Sequence, residues 1–294
     1  NKVWLFAADS KEGLKAAVGS EEESTDGEFR LAVWGKPTEK ETLLERAMHL
    51  LVSSVQKFTL VNGVCYSPVS NAGKLASLYT GAASAYPDMG RELLLDVPQL
   101  SRGLKGKLKN PEKYLSWIYN NDEQQARLPY NHLLGSSFLC QIHGHISHDI
   151  LGLKPSAIAG LSSGETNSMF AHGIWEGMDE LLDEVADSGL YDQFMAGDFA
   201  SVRKAWNLGD DEKVPWANYR VTESIDVLKG LMEGTERVYI SIINSPNDIV
   251  ICGHQDELQS LLKNLPQHKY ADLGHDLAVH CEAVRDFEGQ WRKI

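Results

Sequence analysis

The ten residues Ala157-Ile-Ala-Gly-Leu-Ser-Ser-Gly-Glu-Thr166 restrict what this chain can fold into more than any other segment. A small-residue run, Ala157 to Gly160, reads as a short buried strand. It leads into Gly160-Leu161-Ser162-Ser163-Gly164, and a helix-compatible run follows from Glu165 to Gly173. Gly-x-Ser-x-Gly between a strand and a helix is the pattern of a nucleophile elbow, a sharp turn that presents its serine at the edge of a sheet. Gly160 and Gly164 let such a turn close without Cβ clashes. The helix amino terminus then places partial positive charge beneath Ser162, where a developing oxyanion would need it. Glu165 is read as a cap of that helix, without contact to a substrate.

A serine hydroxyl is a weak nucleophile near neutrality and needs a base within hydrogen-bond reach, most often histidine. The chain offers ten. His143, His145 and His148 are spaced i, i+2, i+5, which spreads them around a helix and does not suit a metal site. His172 and His275 read as local structural groups, and His49, His132, His254 and His268 sit in polar surroundings. His280, in Asp276-Leu-Ala-Val-His-Cys281, stands out because it follows an apolar step late in the chain. No metal site is expected.

Around the elbow the pattern alternates strands and helices. The first sixty residues give a strand (Val3 to Ala7), an acidic loop (Glu21 to Glu28), a strand (Phe29 to Trp34) and an apolar-striped helix (Glu39 to Val55), a small α+β unit. A strand from Leu75 to Tyr79 enters the Gly81-Ala-Ala-Ser-Ala85 turn, and the Tyr86-Pro87 step keeps a helix from starting earlier. A long amphipathic helix is expected from Asn131 to the Gly152 region. Residues 197–219 read as a crossing linker. Beyond it, helix Ile225 to Met232, strands Val238 to Ile243 and Ile249 to Cys252, and helix Asp256 to Leu265 suit a ferredoxin-like split βαβ module.

Charge and cysteines exclude several function classes. A net charge of −13 repels nucleic acid and anionic membrane surfaces. The four cysteines are far apart, with no Cys-x-x-Cys pair, and read as reduced thiols of a cytoplasmic protein. The longest stretch free of charged residues, Leu128 to His148, is too polar to span a bilayer, so no membrane insertion is expected. The chain opens without an initiator Met or an export leader and reads as a piece of something longer.

Four ordered stretches between residues 75 and 281 resemble one family. Gly160-Leu-Ser-Ser-Gly-Glu165 is similar to the Gly-His-Ser-x-Gly-Glu of malonyl-CoA:acyl-carrier-protein transacylases and polyketide-synthase acyltransferases. Leu78-Tyr-Thr-Gly-Ala-Ala-Ser-Ala-Tyr-Pro-Asp-Met-Gly-Arg-Glu-Leu93 resembles their Phe-x-Gly-Gln-Gly-Ser-Gln-x-x-x-Met-Gly-x-Glu-Leu motif. Asn244-Ser-Pro-Asn-Asp-Ile-Val-Ile-Cys-Gly253 resembles their Asn-Ser-Pro hairpin, and His280 falls on their closing histidine. The run Ser162-Ser-Gly-Glu-Thr-Asn167 is most similar to acyltransferase domains of polyunsaturated fatty-acid synthases. Residues 1–60 more loosely resemble the linker that joins ketosynthase to acyltransferase.

The resemblance implies an α/β fold: an α/β-hydrolase-like large subdomain (61–197), an inserted ferredoxin-like small subdomain (198–273), a return to the large subdomain (274–294), and the α+β linker (1–60) in front. It implies acyl transfer by a ping-pong route, with Ser162 as nucleophile, His280 as base, and the backbone N–H groups of Ser163 and Ala82 as oxyanion hole. CoA thioesters and carrier-protein phosphopantetheine would be substrates, with no tightly bound cofactor. An acyl-carrier-protein domain and a neighbouring ketosynthase-type domain would be partners. Leu161, Asp187, Ser188, Leu277 and Asn244 would line the pocket.

Departures from the family carry information too. Ala82 replaces a glutamine and Leu161 a histidine. The arginine that pairs with a malonyl carboxylate is missing from Val185-Ala-Asp-Ser-Gly-Leu190, which points to an uncharged acyl group. The chain also stops fourteen residues after His280, where the family continues, so a truncated large subdomain is expected and the third member of the relay has no candidate. An acyl thioesterase, and a non-catalytic structural domain of a synthase, remain alternative readings.

Overall fold

The computed structural model describes residues 2–53, 59–68, 73–86, 88–104, 108–111, 113–114, 128–209 and 211–294. The chain divides into two compact units, Asn1–Lys74 and Leu75–Ile294. The expected boundary at residue 60 therefore moves to residue 74.

In the first unit a four-stranded antiparallel sheet has the order β1-β2-β4-β3, with β1 Lys2–Ala8, β2 Phe29–Gly35, β3 Thr59–Val61 and β4 Val64–Ser67. The β3–β4 pair extends this sheet through Arg30↔Ser67 to Val33↔Val64, which is why it belongs here and not to the larger unit. Alternation turns Trp4, Phe6, Leu31, Val33, Val64 and Tyr66 inward. Helix α1, Lys11–Ser20, was not anticipated. Its signals are short: Ser10 caps it by accepting from Gly13 N–H at 3.0 Å, and Leu14 and Val18 place one apolar contact per turn. Helix α2, Lys40–Val52, buries Leu43, Leu44, Ala47 and Leu51; part of the expected tail to Val55 lies outside the described residues.

Among the described residues the second unit holds two sheets. Strands β5 (Ala76–Tyr79) and β6 (Ala157–Gly160) pair in parallel, Ala76↔Ala157 through Tyr79↔Gly160. The expected burial of β6 is not observed: Ala157 and Ala159 are exposed, as is Leu78 opposite at 80%. Between these strands come α3 Arg91–Asp96, α4 Gln99–Gly103 and α5 Pro129–Gly144. α5 is not amphipathic. Leu133 through Ile142 is buried all round, Ser136, Ser137 and Gln141 included, because the helix runs through the centre of the unit. After Gly144 it loosens into a π-helical turn, His145–Ile150.

Helices α6 Gly164–Ala171 and α7 Met178–Asp187 follow the elbow. The stretch 197–219 is not a linker: it contains helix α8, Ala200–Trp206, and strand β7, Trp216–Val221. Its polar letters hid β7, whose Ala217, Tyr219 and Val221 alternate as a strand should. With helices α9 Ile225–Leu231 and α10 Gln255–Leu262 and strands β8 Val238–Ser245, β9 Asp248–His254 and β10 Tyr270–Asp272, it forms an antiparallel sheet of order β10-β7-β9-β8. That is the split βαβ arrangement. One face packs Val221, Ile249 and Ile251 under Leu228, Leu258 and Leu261 of the helices; the other packs Trp216 and Cys252 against Val202 of α8 and Ala278. A short helix, α11 Glu288–Trp291, closes the described chain.

Candidate active site

The elbow follows from local sterics. Leu161 N–H donates to Tyr79 O at 3.0 Å, one bond beyond the strand pairing, and Gly164 N–H to Leu161 O at 2.9 Å closes the turn. Ser162 between them is held at φ +55°, the left-handed region that a residue with a Cβ normally avoids. A Cβ on Gly160 would stand 2.1 Å from the Gly164 carbonyl carbon, and one on Gly164 would stand 2.3 Å from Tyr79 O. Only glycine fits either place. Helix α6 starts at once, with Ser163 at its N-cap and Glu165, exposed, in its first turn.

Facing the elbow is the Gly81 loop after β5. Thr80 O accepts from Asn167 Nδ2 at 3.2 Å and from Cys140 Sγ at 3.8 Å, so α6 and α5 together hold the loop down. A Cβ on Gly81 would lie 2.8 Å from Leu161 O, which shows how closely loop and elbow approach. Ala82 N–H points at Ser163 and donates to its hydroxyl at 3.0 Å. Ser163 and Ala82 are thus adjacent, but the Ala82 N–H is already engaged by the Ser163 side chain. The sequence signal for this contact was the second serine of the Ser162-Ser163 pair.

Across 118 residues of sequence, His280 Nε2 lies 2.8 Å from Ser162 Oγ. Both side chains are exposed. His280 is also held at φ +55°, and the segment around it, 273–280, contains no strand or helix. Ala278 N–H donates to Met195 O at 2.8 Å, and Leu277, half-buried, packs against the apolar core beside α7. Among the described residues His280 Nδ1 has no hydrogen-bond partner, so no carboxylate completes a triad there.

The remaining expected pocket residues are placed differently. Leu161, at 52% exposure, lies beside the pair on the elbow itself. Asp187 is exposed at the end of α7. The Ser188 hydroxyl donates to Val185 O at 2.7 Å and accepts from Leu190 N–H at 3.3 Å. Asn244 is exposed and turns its amide onto Asp248 Oδ1 at 3.4 Å, beside the Arg220–Asp248 ion pair that holds Asp248 below the usual carboxylate range. Asp187, Ser188 and Asn244 make no hydrogen bond with Ser162 or His280. His145 Nδ1 bonds Asp149 at 2.7 Å, and the described residues contain no cluster of three or more metal-ligating side chains. No helix among them is long and apolar enough to cross a membrane.

No protein-family model matches the chain. Among curated proteins it is 24% identical over 155 residues, 51% of its length, to a polyunsaturated fatty acid synthase polypeptide of Thraustochytrium sp.. It is 23% identical over 232 residues, 76% of its length, to a non-reducing polyketide synthase of Aspergillus terreus. The matched regions are 8% and 10% of those proteins. Among solved structures it superposes with TM-score 0.64 on the acyltransferase domain of the second module of the salinomycin polyketide synthase. That match covers 96% of this chain and 61% of the other at 17% identity. With the malonyl-CoA:ACP transacylase of Synechocystis sp. the TM-score is 0.55, over 75% and 69% of the two chains at 18% identity. The chain is a domain of the acyltransferase fold shared by polyketide synthases and malonyl-CoA:acyl-carrier-protein transacylases.

Proposed function

We propose that this chain transfers an acyl group between a CoA thioester and the phosphopantetheine thiol of an acyl-carrier protein, as part of a polyketide or polyunsaturated fatty-acid synthase. The observation that carries this reading is the 2.8 Å approach of His280 Nε2 to the hydroxyl of Ser162 on a strained strand-to-helix turn. His280 Nε2 takes the Ser162 proton as Oγ attacks the thioester carbonyl. The resulting oxyanion is received by Ser163 N–H and by Ala82 N–H, the latter once the Ser163 hydroxyl releases it. The C–S bond breaks, His280 returns the proton to the departing CoA thiolate, and acyl-Ser162 remains. In the second half, His280 deprotonates the acceptor thiol, its sulfur attacks the ester, and Ser162 leaves with the proton.

The acyl group is an uncharged one. A free malonyl carboxylate buried without a bidentate arginine loses several kcal/mol, and Val185 to Leu190 supplies only Asp187 as a charged side chain. The chemistry needs no bound cofactor beyond its two substrates. A carrier-protein domain is its partner in transfer, and a ketosynthase-type domain its neighbour.

The test is a transfer assay with radiolabelled octanoyl-CoA and malonyl-CoA as donors and a phosphopantetheinylated carrier protein as acceptor. Label should reach the carrier from octanoyl-CoA, at least about tenfold faster than from malonyl-CoA, and Ser162→Ala should abolish it. Release of free acid without carrier labelling would make the chain a thioesterase. No acyl turnover at all from a folded chain would make it a structural domain.

A further inference from the structure

The two members of the Ser162–His280 pair are supported very differently. Ser162 stands between a strand and a helix, whereas His280 rides on coil at a left-handed φ. A base on unsupported coil would sample many positions away from its partner, yet proton transfer requires hydrogen-bond contact. The coil is pinned on both sides of His280 by side chains from the split βαβ sheet. Immediately before it, Ser241 Oγ of β8 donates to Val279 O at 3.1 Å. Immediately after it, Cys281 packs against the apolar cluster that contains Cys252, fully buried in β9. Strand alternation explains the arrangement: Ile240 and Ile251 face the helices, which turns Ser241 and Cys252 to the opposite face, where the coil lies.

We infer that Ser241 and Cys252 are positioning residues that fix the His280 imidazole against Ser162 through the two residues flanking it. They supply the orientation that a carboxylate on Nδ1 provides in a triad, for which the described residues offer no candidate. The Cys281 neighbour first and burial second push the Cys252 thiol well above the ordinary thiol range, while Cys281 is lowered beside it. Both cysteines are free. The inference rests on the proposed Ser162–His280 chemistry, and its test must separate the two.

A fluorophosphonate probe labels a serine activated by histidine without requiring the right thioester. Its labelling rate at Ser162 should be measured against pH for the wild type and for Ser241→Ala, Ser241→Thr, Cys252→Ala, Cys252→Ser and His280→Ala, with the native fraction of each taken from its urea curve. Ser241→Ala and Cys252→Ala should lower the plateau rate of the native protein about tenfold to a hundredfold, the scale on which small misplacements act. The probe affinity should stay as it was, and Ser241→Thr and Cys252→Ser should recover most of the rate. Wild-type plateau rates in both alanine variants, or losses that follow only the unfolded fraction and are not recovered by Thr or Ser, overturn the positioning role and leave the Ser–His chemistry intact. If His280→Ala labels as fast as wild type, the Ser–His reading falls and the positioning role falls with it.

Discussion

Ser163 is the residue whose chemistry the sequence disguised. Its backbone N–H belongs to the proposed oxyanion hole, while its hydroxyl accepts from Ala82 N–H at 3.0 Å, the other donor of that hole. That bond must open before an oxyanion can take its place, and a hydrogen bond of this kind has a net worth of about 0.5–1.5 kcal/mol. Ser163→Ala should therefore accelerate acylation of Ser162 by about twofold to tenfold, as read in a stopped-flow burst of CoA release; a slower burst would mean that the hydroxyl assists the reaction. At this scale the sequence was readable for Ser162 and His280, because a motif and a resemblance named them. It was silent on Ser241 and Cys252. Their role depends on which face of a strand meets a coil 38 residues downstream in one case and 29 in the other, and no local spacing encodes that.

The elements around the site are held by a few buried polar contacts. Asn167 of α6, itself buried, donates to Thr80 O and so ties the Gly81 loop to the elbow helix. Asn167→Ala should cost about 1–2 kcal/mol by leaving that carbonyl only the long, weak bond from the Cys140 thiol, visible as a lower urea midpoint accompanied by slower acylation. Gly160→Ala should be harsher, because its Cβ meets backbone that cannot move without opening the turn. A loss of at least about 2 kcal/mol is expected, and an unchanged midpoint would show that the elbow is not built as described.

The segment leading to His280 adds a pH dependence at the same scale. His275 O accepts from Asn218 Nδ2 of β7 at 2.7 Å. Burial first, and the nearby His132 second, hold the His275 imidazole below the 6.5 of a free one, against the pull of Asp276 and Asp272. The folded value lies below the unfolded one, so as pH falls below 6.5 the unfolded chain takes up the proton first and stability declines. The urea midpoint should drop from pH 6.5 to pH 5, and His275→Gln should flatten that slope. Helices such as α2 and α5 were legible from spacing, although the polar face expected of α5 is absent; β7 was not, because burial on nearly all sides removes the polar half of the pattern.

At the scale of the whole molecule the fold was largely foreseen, since a strand-turn-helix signature and an alternation of short strands with helices leave few architectures. The boundary was misplaced because Thr59 to Ser67 are short strands with no composition shift before them, and only their pairing with β2 assigns them to the first unit. A chain starting at Leu75 should fold and keep Ser162 reactive, whereas one starting at Val61 would expose the apolar Val64 and Tyr66 of an unpaired β4 and should aggregate; size-exclusion chromatography distinguishes them.

The most direct test of acyl transfer through Ser162 and His280 is intact mass spectrometry of the chain after brief exposure to octanoyl-CoA, followed by peptide mapping. One octanoyl group should be found on the Ser162 peptide, absent in Ser162→Ala, strongly reduced in His280→Ala and removed by a carrier-protein thiol. An unmodified chain that is folded, or an adduct on any other residue that survives Ser162→Ala, would contradict it.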